Sequence, residues 1–306
     1  MKVAITGATG FVGSRLVERL HKEGNRILVL TRNTFSAQKL FPPGVFPNVE
    51  IVAYTPTESG SWQDAIAGCD GVVNLAGEPI AEERWTSGQK QKILNSRQLG
   101  TQKIVEAIAK ANPQPSVLVS ASAVGYYGTS ETSTFDETSS SGNDFLAQVC
   151  QAWEVEAQKV RDAGVRLVIL RLGIVLGNGG ALDKMITPFK LFAGGPLGSG
   201  RQWLSWIHLD DLVNLILQAL TNPEMQGVYN ATAPHPARMA ELSQTLGQVM
   251  QRPSWLPVPG FALEALLGDG AMVVLEGQQV MPQRTLESGF KYEYPDLLPA
   301  LSQIIR

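Results

Sequence analysis

Apolar runs alternate with amphipathic stretches along the first half of the chain. Val3-Ala4-Ile5 leads into Phe11 to Glu23, where Val12, Leu16, Val17 and Leu20 recur at helical spacing, and Ile27-Leu28-Val29-Leu30 and Val49-Glu50-Ile51-Val52 follow. Val72-Val73-Asn74-Leu75, Val117-Leu118-Val119 and Leu167-Val168-Ile169-Leu170 come next, separated by helical patterns that include Gln89 to Ala111 and Phe145 to Ala163. Most of the short runs are apolar at successive positions, so both strand faces need cover, as in a parallel sheet between helices. The repeated strand–helix order predicts an α/β fold, a Rossmann-like doubly wound parallel sheet.

The texture changes after about Gly177. Glycine and proline punctuate Gly194-Gly195-Pro196-Leu197-Gly198-Ser199-Gly200, and a proline-rich passage from Pro253 to Pro259 precedes two more apolar segments. Residues 1–175 read as the Rossmann-like domain and residues 176–306 as a smaller carboxy-terminal substrate lobe, with strands open to being shared between them. No internal repeat or low-complexity segment interrupts this order.

The first strand runs directly into Thr6-Gly7-Ala8-Thr9-Gly10-Phe11-Val12-Gly13. Between a strand and a helix, Gly7 permits the tight turn, Gly10 lets backbone approach a pyrophosphate, and Gly13 allows close helix–strand packing. The helix N-terminus adds free N–H groups and a favourable dipole. A dinucleotide is the expected ligand, with Thr6, Gly7, Gly10, Phe11, Val12 and Gly13 around it. A site for NAD(H) usually carries an acid just past the second strand. Here that region reads Leu30-Thr31-Arg32-Asn33. With no acid and with Arg32 placed to pair with a 2′-phosphate, Thr31 and Arg32 point to NADP(H).

Composition narrows the remaining classes. The chain has 306 residues, 44% hydrophobic and 17% charged, enough for a large core with an appendage. A net charge of -3 offers no footprint for a nucleic-acid backbone. Cys69 and Cys150 lie far apart, and His21, His208 and His235 lack ligand spacing, so neither a disulfide framework nor a metal site is expected. The apolar stretches Leu212 to Leu220 and Phe261 to Val274 are short or interrupted by Glu264 and Asp269, whereas a membrane span needs roughly 20 apolar residues. The opening residues enter a strand pattern with no export signal, which makes a cytoplasmic location and a small-molecule substrate the expectation.

The glycine spacing resembles that of extended and atypical short-chain dehydrogenase/reductases, the nucleotide-sugar epimerase and dehydratase superfamily. Gly77-Glu78-Pro79-Ile80, Arg84-Trp85, Asn95-Ser96-Arg97, the 194–200 glycine cluster and Trp206-Ile207-His208-Leu209-Asp210-Asp211 are similar to one subgroup of it. That subgroup comprises the epimerase family proteins related to human short-chain dehydrogenase/reductase family 39U member 1, some labelled cell-division inhibitors. The likeness covers nearly the whole chain, including a segment from about Arg252 that resembles a domain of unknown function. It implies that Leu75, Ala76 and Gly77 line the adenosine and ribose side of the cofactor, that Ser120 and Ser122 lie on the active-site strand, and that the helix of Arg97 runs beside the cofactor.

The same resemblance exposes a gap. Working reductases of this kind use a Tyr and, four residues later, a Lys that lowers the phenol's pKa. Here the helix reads Asp144-Phe145-Leu146-Ala147-Gln148-Val149-Cys150-Gln151-Ala152-Trp153-Glu154. Leu146 and Cys150, or Phe145 and Val149, occupy those places. Ser122 is the best remaining donor to a substrate carbonyl, with backbone bonding at the strand end as its alternative role. Tyr127, or its neighbour Tyr126, is the candidate substitute acid, against simple aromatic packing. Cys150 reads as an inert buried thiol, and Asp210 and Asp211 as caps for the helix that follows. Two functions fit: an atypical NADP(H)-dependent oxidoreductase or nucleotide-sugar epimerase-like enzyme, and a non-catalytic NADPH-binding regulator with a protein partner, linked to cell division.

Overall fold

The computed structural model describes residues 1–305. Seven parallel strands form the central sheet: β1 (Lys2–Thr6), β2 (Arg26–Thr31), β3 (Val49–Ala53), β4 (Gly71–Asn74), β5 (Val117–Ala123), β6 (Arg166–Leu172) and β7 (Gly227–Ala231). Their spatial order is β3-β2-β1-β4-β5-β6-β7, and every neighbouring pair is parallel. The order reverses between β1 and β4. In open α/β sheets, ligand-binding crevices lie at such a reversal, at the carboxyl ends of the strands.

Two helical layers account for the apolar strands. On one face, α1 (Phe11–Lys22) and α6 (Leu209–Thr221) pack against Val3, Ile5, Val29 and Val73 through Leu16, Leu20, Leu212 and Ile216. On the other, α3 (Ser87–Lys110) and α4 (Phe145–Gln158) lie over the alternate residues Ala4, Leu28, Val72 and Leu118, with Ile104, Ile108 and Ala157 buried there. Successive strand side chains thus enter different cores, which is why the inner strands are apolar at successive positions, whereas the edge strand β3 keeps Glu50 exposed. A short helix, α2 (Thr34–Leu40), follows β2 and is capped by Asn33, whose Oδ1 accepts from the Ser36 N–H at 3.0 Å.

A third core belongs to the smaller lobe. There α5 (Gly180–Lys190), α7 (Met239–Met250) and the last helix, Leu297–Ile304, bury Leu182, Phe189, Trp206, Leu242 and Leu301 together. Residue 175 is not a clean cut in the chain, because α6 and β7 return from beyond it to complete the main sheet. Helix α8 (Gly260–Leu267) buries none of its residues. Beside it, Met272, Val273 and the segment to Gln278 reach back over the carboxyl ends of the strands.

Several boundaries differ from the sequence expectation. The pattern read as helix to Ala163 is α4 followed by a tighter turn, Lys159–Ala163, which ends on Gly164 in the left-handed conformation. Asp210 and Asp211 do not cap α6: His208 does, its Nδ1 accepting from the Asp210 N–H at 3.1 Å. Asp211 is fully buried and accepts instead from the N–H groups of Glu293 and Tyr294, at 2.7 and 2.9 Å, fastening the C-terminal segment to α6.

Candidate active site

A cleft of about 560 Å³ runs from the glycine turn to the end of β5 and under the smaller lobe. At one end it is lined by Gly7, Gly10, Phe11, Val12, Gly13 and Leu75. The turn is held by contacts that admit no side chain. Gly7 has φ +69°, and a Cβ there would lie 2.9 Å from the Leu75 carbonyl carbon. One on Gly13 would lie 2.2 Å from the Gly7 oxygen. Glycine is therefore required at both for β1, α1 and the β4 exit to come together.

Capping sets α1 apart from its neighbours. Thr86, Asn33 and Asp144 cap α3, α2 and α4 with side-chain oxygens, whereas Gly10 at the start of α1 supplies none. The first-turn N–H groups of a helix have no intrahelical partners, and those of α1 stay available at the cleft wall. The Phe11 ring turns away under the glycines Gly177, Gly179 and Gly180, leaving its backbone toward the turn.

The residues expected to bind the cofactor separate by position. Thr6 is fully buried; its hydroxyl donates to Asn74 Oδ1 at 2.7 Å and accepts from the N–H groups of Leu75 and Ala76, so it shapes the wall without facing the cleft. Ser120 is also sealed in the sheet. Thr31 is buried at the end of β2, and Arg32 is exposed just beyond it, with no acid at hand. Gly77 packs against Arg97, where an added Cβ would lie 3.0 Å from Cζ.

Arg97 reaches the cleft from α3. Its Nη1 donates to the carbonyls of Glu78 and Ile93, at 3.0 and 3.2 Å, and its guanidinium lies 5.2 Å from the Trp153 ring centroid. It makes no ion pair with a carboxylate, and burial lowers its pKa from the usual arginine value. On the facing helix stands Cys150, whose thiol burial pushes up to about 11, aided by the Glu154 charge and opposed by Arg97. Leu146 lies one turn before it, and both line the cleft.

Ser122 lines the cleft, but its hydroxyl donates inward to Glu154 Oε1 at 2.7 Å. Glu154 in turn holds Arg171 in a two-pronged ion pair, with Nε to Oε1 and Nη2 to Oε2 both 2.8 Å, each side chain about 4% exposed. Arg171 also donates to the Tyr127 hydroxyl at 3.0 Å, and Tyr127 donates to Asn230 Oδ1 at 2.7 Å. The structure thus draws Tyr127 away from the cleft. Burial pushes its phenol up to about 12 despite Arg171, and its hydroxyl is occupied on both sides. Tyr126 is covered by the Arg171 guanidinium, 3.3 Å from its ring centroid. Tyr127 thus belongs to the buried network, whereas Tyr126 is half-buried and held by its ring against Arg171; neither lines the cleft.

Sequence reading missed Glu154, Arg171 and Asn230, although an arginine ending an apolar strand after Leu170 was a usable signal. It also missed the segment from Met272 to Gln278, which closes one side of the cleft. Lys90 is tied to Asp269 at 2.7 Å on that side. No group of His, Cys, Asp and Glu able to hold a metal occurs among the described residues. No helix of the described residues is long and apolar enough to cross a membrane.

Comparison with known proteins places this geometry in context. The profile of the NAD dependent epimerase/dehydratase family matches residues 3–232, and a domain of unknown function, DUF1731, matches residues 258–304. A relative in Arabidopsis thaliana, the chloroplastic epimerase family protein SDR39U1 homolog, is 53% identical across the whole chain and 87% of its own length. The epimerase family protein YfhF of Bacillus subtilis is 40% identical over the whole chain and 98% of its own. The crystal structure of human epimerase family protein SDR39U1 with NADPH superposes with a TM-score of 0.88 at 36% identity, covering 99% of each chain.

Proposed function

Because the chain belongs to the NAD dependent epimerase/dehydratase family, we propose that it holds NADP(H) on the Gly7–Gly13 turn and acts as an oxidoreductase on a carbonyl or carbinol. One observation carries this reading: a single cleft joins the uncapped N-terminus of α1 to Ser122, Leu146 and Cys150. The glycine cradle fits a pyrophosphate, since Gly7 and Gly13 leave no room for a side chain and α1 offers free N–H groups. Arg32, exposed past β2 with no acid nearby, supports the phosphorylated cofactor. So does the NADPH bound by the human relative. Once bound, the nicotinamide supplies the hydride; the protein's task is to orient the reactants and exclude water.

Arg97 takes the electrostatic part that the absent lysine would play. It brings a cation to the wall facing Cys150 from α3, anchored by two carbonyls and free of any carboxylate. Ser122 polarises a carbonyl only by turning its hydroxyl away from Glu154. That requirement favours a second reading, in which the protein binds NADPH as a regulator and turns it over slowly or not at all. NADPH carrying deuterium at nicotinamide C4, incubated with a panel of aldehydes, ketones and nucleotide sugars, separates the two. Deuterium in an alcohol product supports the oxidoreductase, and tight NADPH binding with no label transfer across the panel supports the regulator.

A further inference from the structure

The cleft beyond the glycine turn carries few groups able to recognise a sugar or a diphosphate. Ligand pockets are commonly apolar, so the lining of Leu146, Val149, Met185, Met272 and Val273 decides little by itself. The polar groups decide more. Ser122 donates to Glu154, Thr129 to Glu276 Oε2 at 2.7 Å, and Ser205 to the Gln278 carbonyl at 2.8 Å. The Trp203 indole N–H is likewise held by the Glu131 carbonyl. Each hydroxyl on the wall is thus engaged as a donor within the protein. A sugar ring, polar at nearly every carbon, would find mainly Asp144, Glu276 and the Gln278 amide to bond here, leaving part of its hydrogen bonding to water unreplaced.

Charge points the same way. Among the described residues lining the cleft, Arg97 is the only cation, and it stands beside Gly77 on the cofactor side. The two carboxylates of the lining, Asp144 and Glu276, are both repulsive to an anion. Asp144 also occupies the N-terminus of α4, accepting from the Ala147 N–H at 2.9 Å, which removes a helix end that would otherwise attract phosphate. At the rim, Lys90 pairs with Asp269, and Arg238 lies on the Trp203 ring while donating to the carbonyls of Arg201 and Glu131. Lys184 makes one long contact, 3.4 Å to the Ala81 carbonyl. Three donors remain without full partners along the wall: the rest of the Arg97 guanidinium, the buried Trp153 Nε1, which has no acceptor, and the Gln278 amide.

We infer that the substrate half of the cleft takes an uncharged, largely apolar carbonyl compound, such as a medium-chain ketone or aldehyde, and not a nucleoside-diphosphate sugar. This rests on the reading that NADP(H) fills the glycine-turn half. The substrate presents one carbonyl acceptor and buries its hydrocarbon against Leu146, Met185 and Val273. Reduction would break the C4–H bond of NADPH and form a C–H bond at the carbonyl carbon, while the carbonyl oxygen takes up one proton from bulk solvent, so that ketone, NADPH and H⁺ give the alcohol and NADP⁺.

The test is a calorimetric titration of the NADPH-loaded protein with methyl ketones from hexanone to decanone, and separately with UDP-glucose and UDP. Ketone affinity is expected to rise roughly fourfold per added CH₂, as full burial of each methylene requires, and to change little between low and high salt. UDP-glucose and UDP should bind at least about tenfold more weakly than decanone. Val273→Glu should weaken decanone about tenfold, because a charge then faces the hydrocarbon, while leaving NADPH affinity within about twofold of the parent protein. Salt-sensitive binding of UDP-glucose or UDP that exceeds decanone overturns the inference. So does a flat ketone series, or absence of binding by every ligand; in those cases retained NADPH binding leaves the cofactor reading standing. Failure of the protein to load with NADPH removes the cofactor reading itself.

Discussion

Replacing Glu154 by glutamine tests whether the buried network behind Ser122 is as strongly coupled as its geometry implies. Arg171 and Glu154 are about 4% exposed and joined by two hydrogen bonds of 2.8 Å. Glu154→Gln leaves the Arg171 guanidinium buried without its counter-charge, and breaking such a pair from one side costs about 3–5 kcal/mol. Arg171→Met should cost a similar amount, since it strands the carboxylate and removes the donor to Tyr127. The double variant carries neither charge, so it should be no less stable than either single variant, giving a coupling of about 3 kcal/mol or more. Urea unfolding followed by tryptophan fluorescence on all four proteins measures this cycle. A loss below about 1 kcal/mol for Glu154→Gln, the range of exposed pairs, would refute the reasoning, and so would additive single-variant losses.

Two further predictions concern the turn and the buried phenols. Gly13→Ala should destabilise the protein by about 1–3 kcal/mol through overpacking, because its Cβ would sit 2.2 Å from the Gly7 oxygen; thermal melts with and without NADPH measure the loss, and a variant as stable as its parent would contradict the packing argument. Alkaline pH should unfold the protein: Tyr54 and Tyr127 are both pushed up to about 12 and Cys150 to about 11, mainly by burial. Groups with raised folded pKa values contribute stability that is fully present below their unfolded values, near 9 for the thiol and 10 for the phenols, and is lost as pH rises to about 11–12. Tyrosinate absorbance that grows in parallel with urea sensitivity over this window is the expected result, and unchanged stability through pH 12 the contrary one.

The legible parts of the sequence were those whose physics is local. Largely apolar runs placed six of the seven sheet strands, because two helical layers cover all but the edge strand β3, which keeps Glu50 exposed. The glycines Gly7, Gly10 and Gly13 marked a turn whose constraints are set by adjacent backbone. The seventh strand, Gly-Val-Tyr-Asn-Ala at 227–231, was missed because its polar residue Asn230 is satisfied far away, by Tyr127 and by the Met281 carbonyl. Ser122 was found by position, but its direction depends on Glu154, 32 residues later and on another element. The orientation of Tyr127 is set in the same way, by Arg171, 44 residues away in sequence. The charge inventory of the cleft depends equally on long-range closure, as Met272, Val273 and Glu276 arrive from the C-terminal segment.

The most direct test of the central claim is cofactor selectivity at the end of β2. Arg32 is the exposed cation there, with no acid to accept from a ribose. Charge-assisted hydrogen bonds contribute about 1.5–3 kcal/mol, or roughly ten- to hundredfold in affinity. Fluorescence titration of the protein and of Arg32→Asp with NADPH and NADH should show NADPH bound more tightly by the parent. The variant should lose about ten- to hundredfold for NADPH while NADH changes little. Equal losses for both cofactors, or a parent protein that binds neither, would contradict the account.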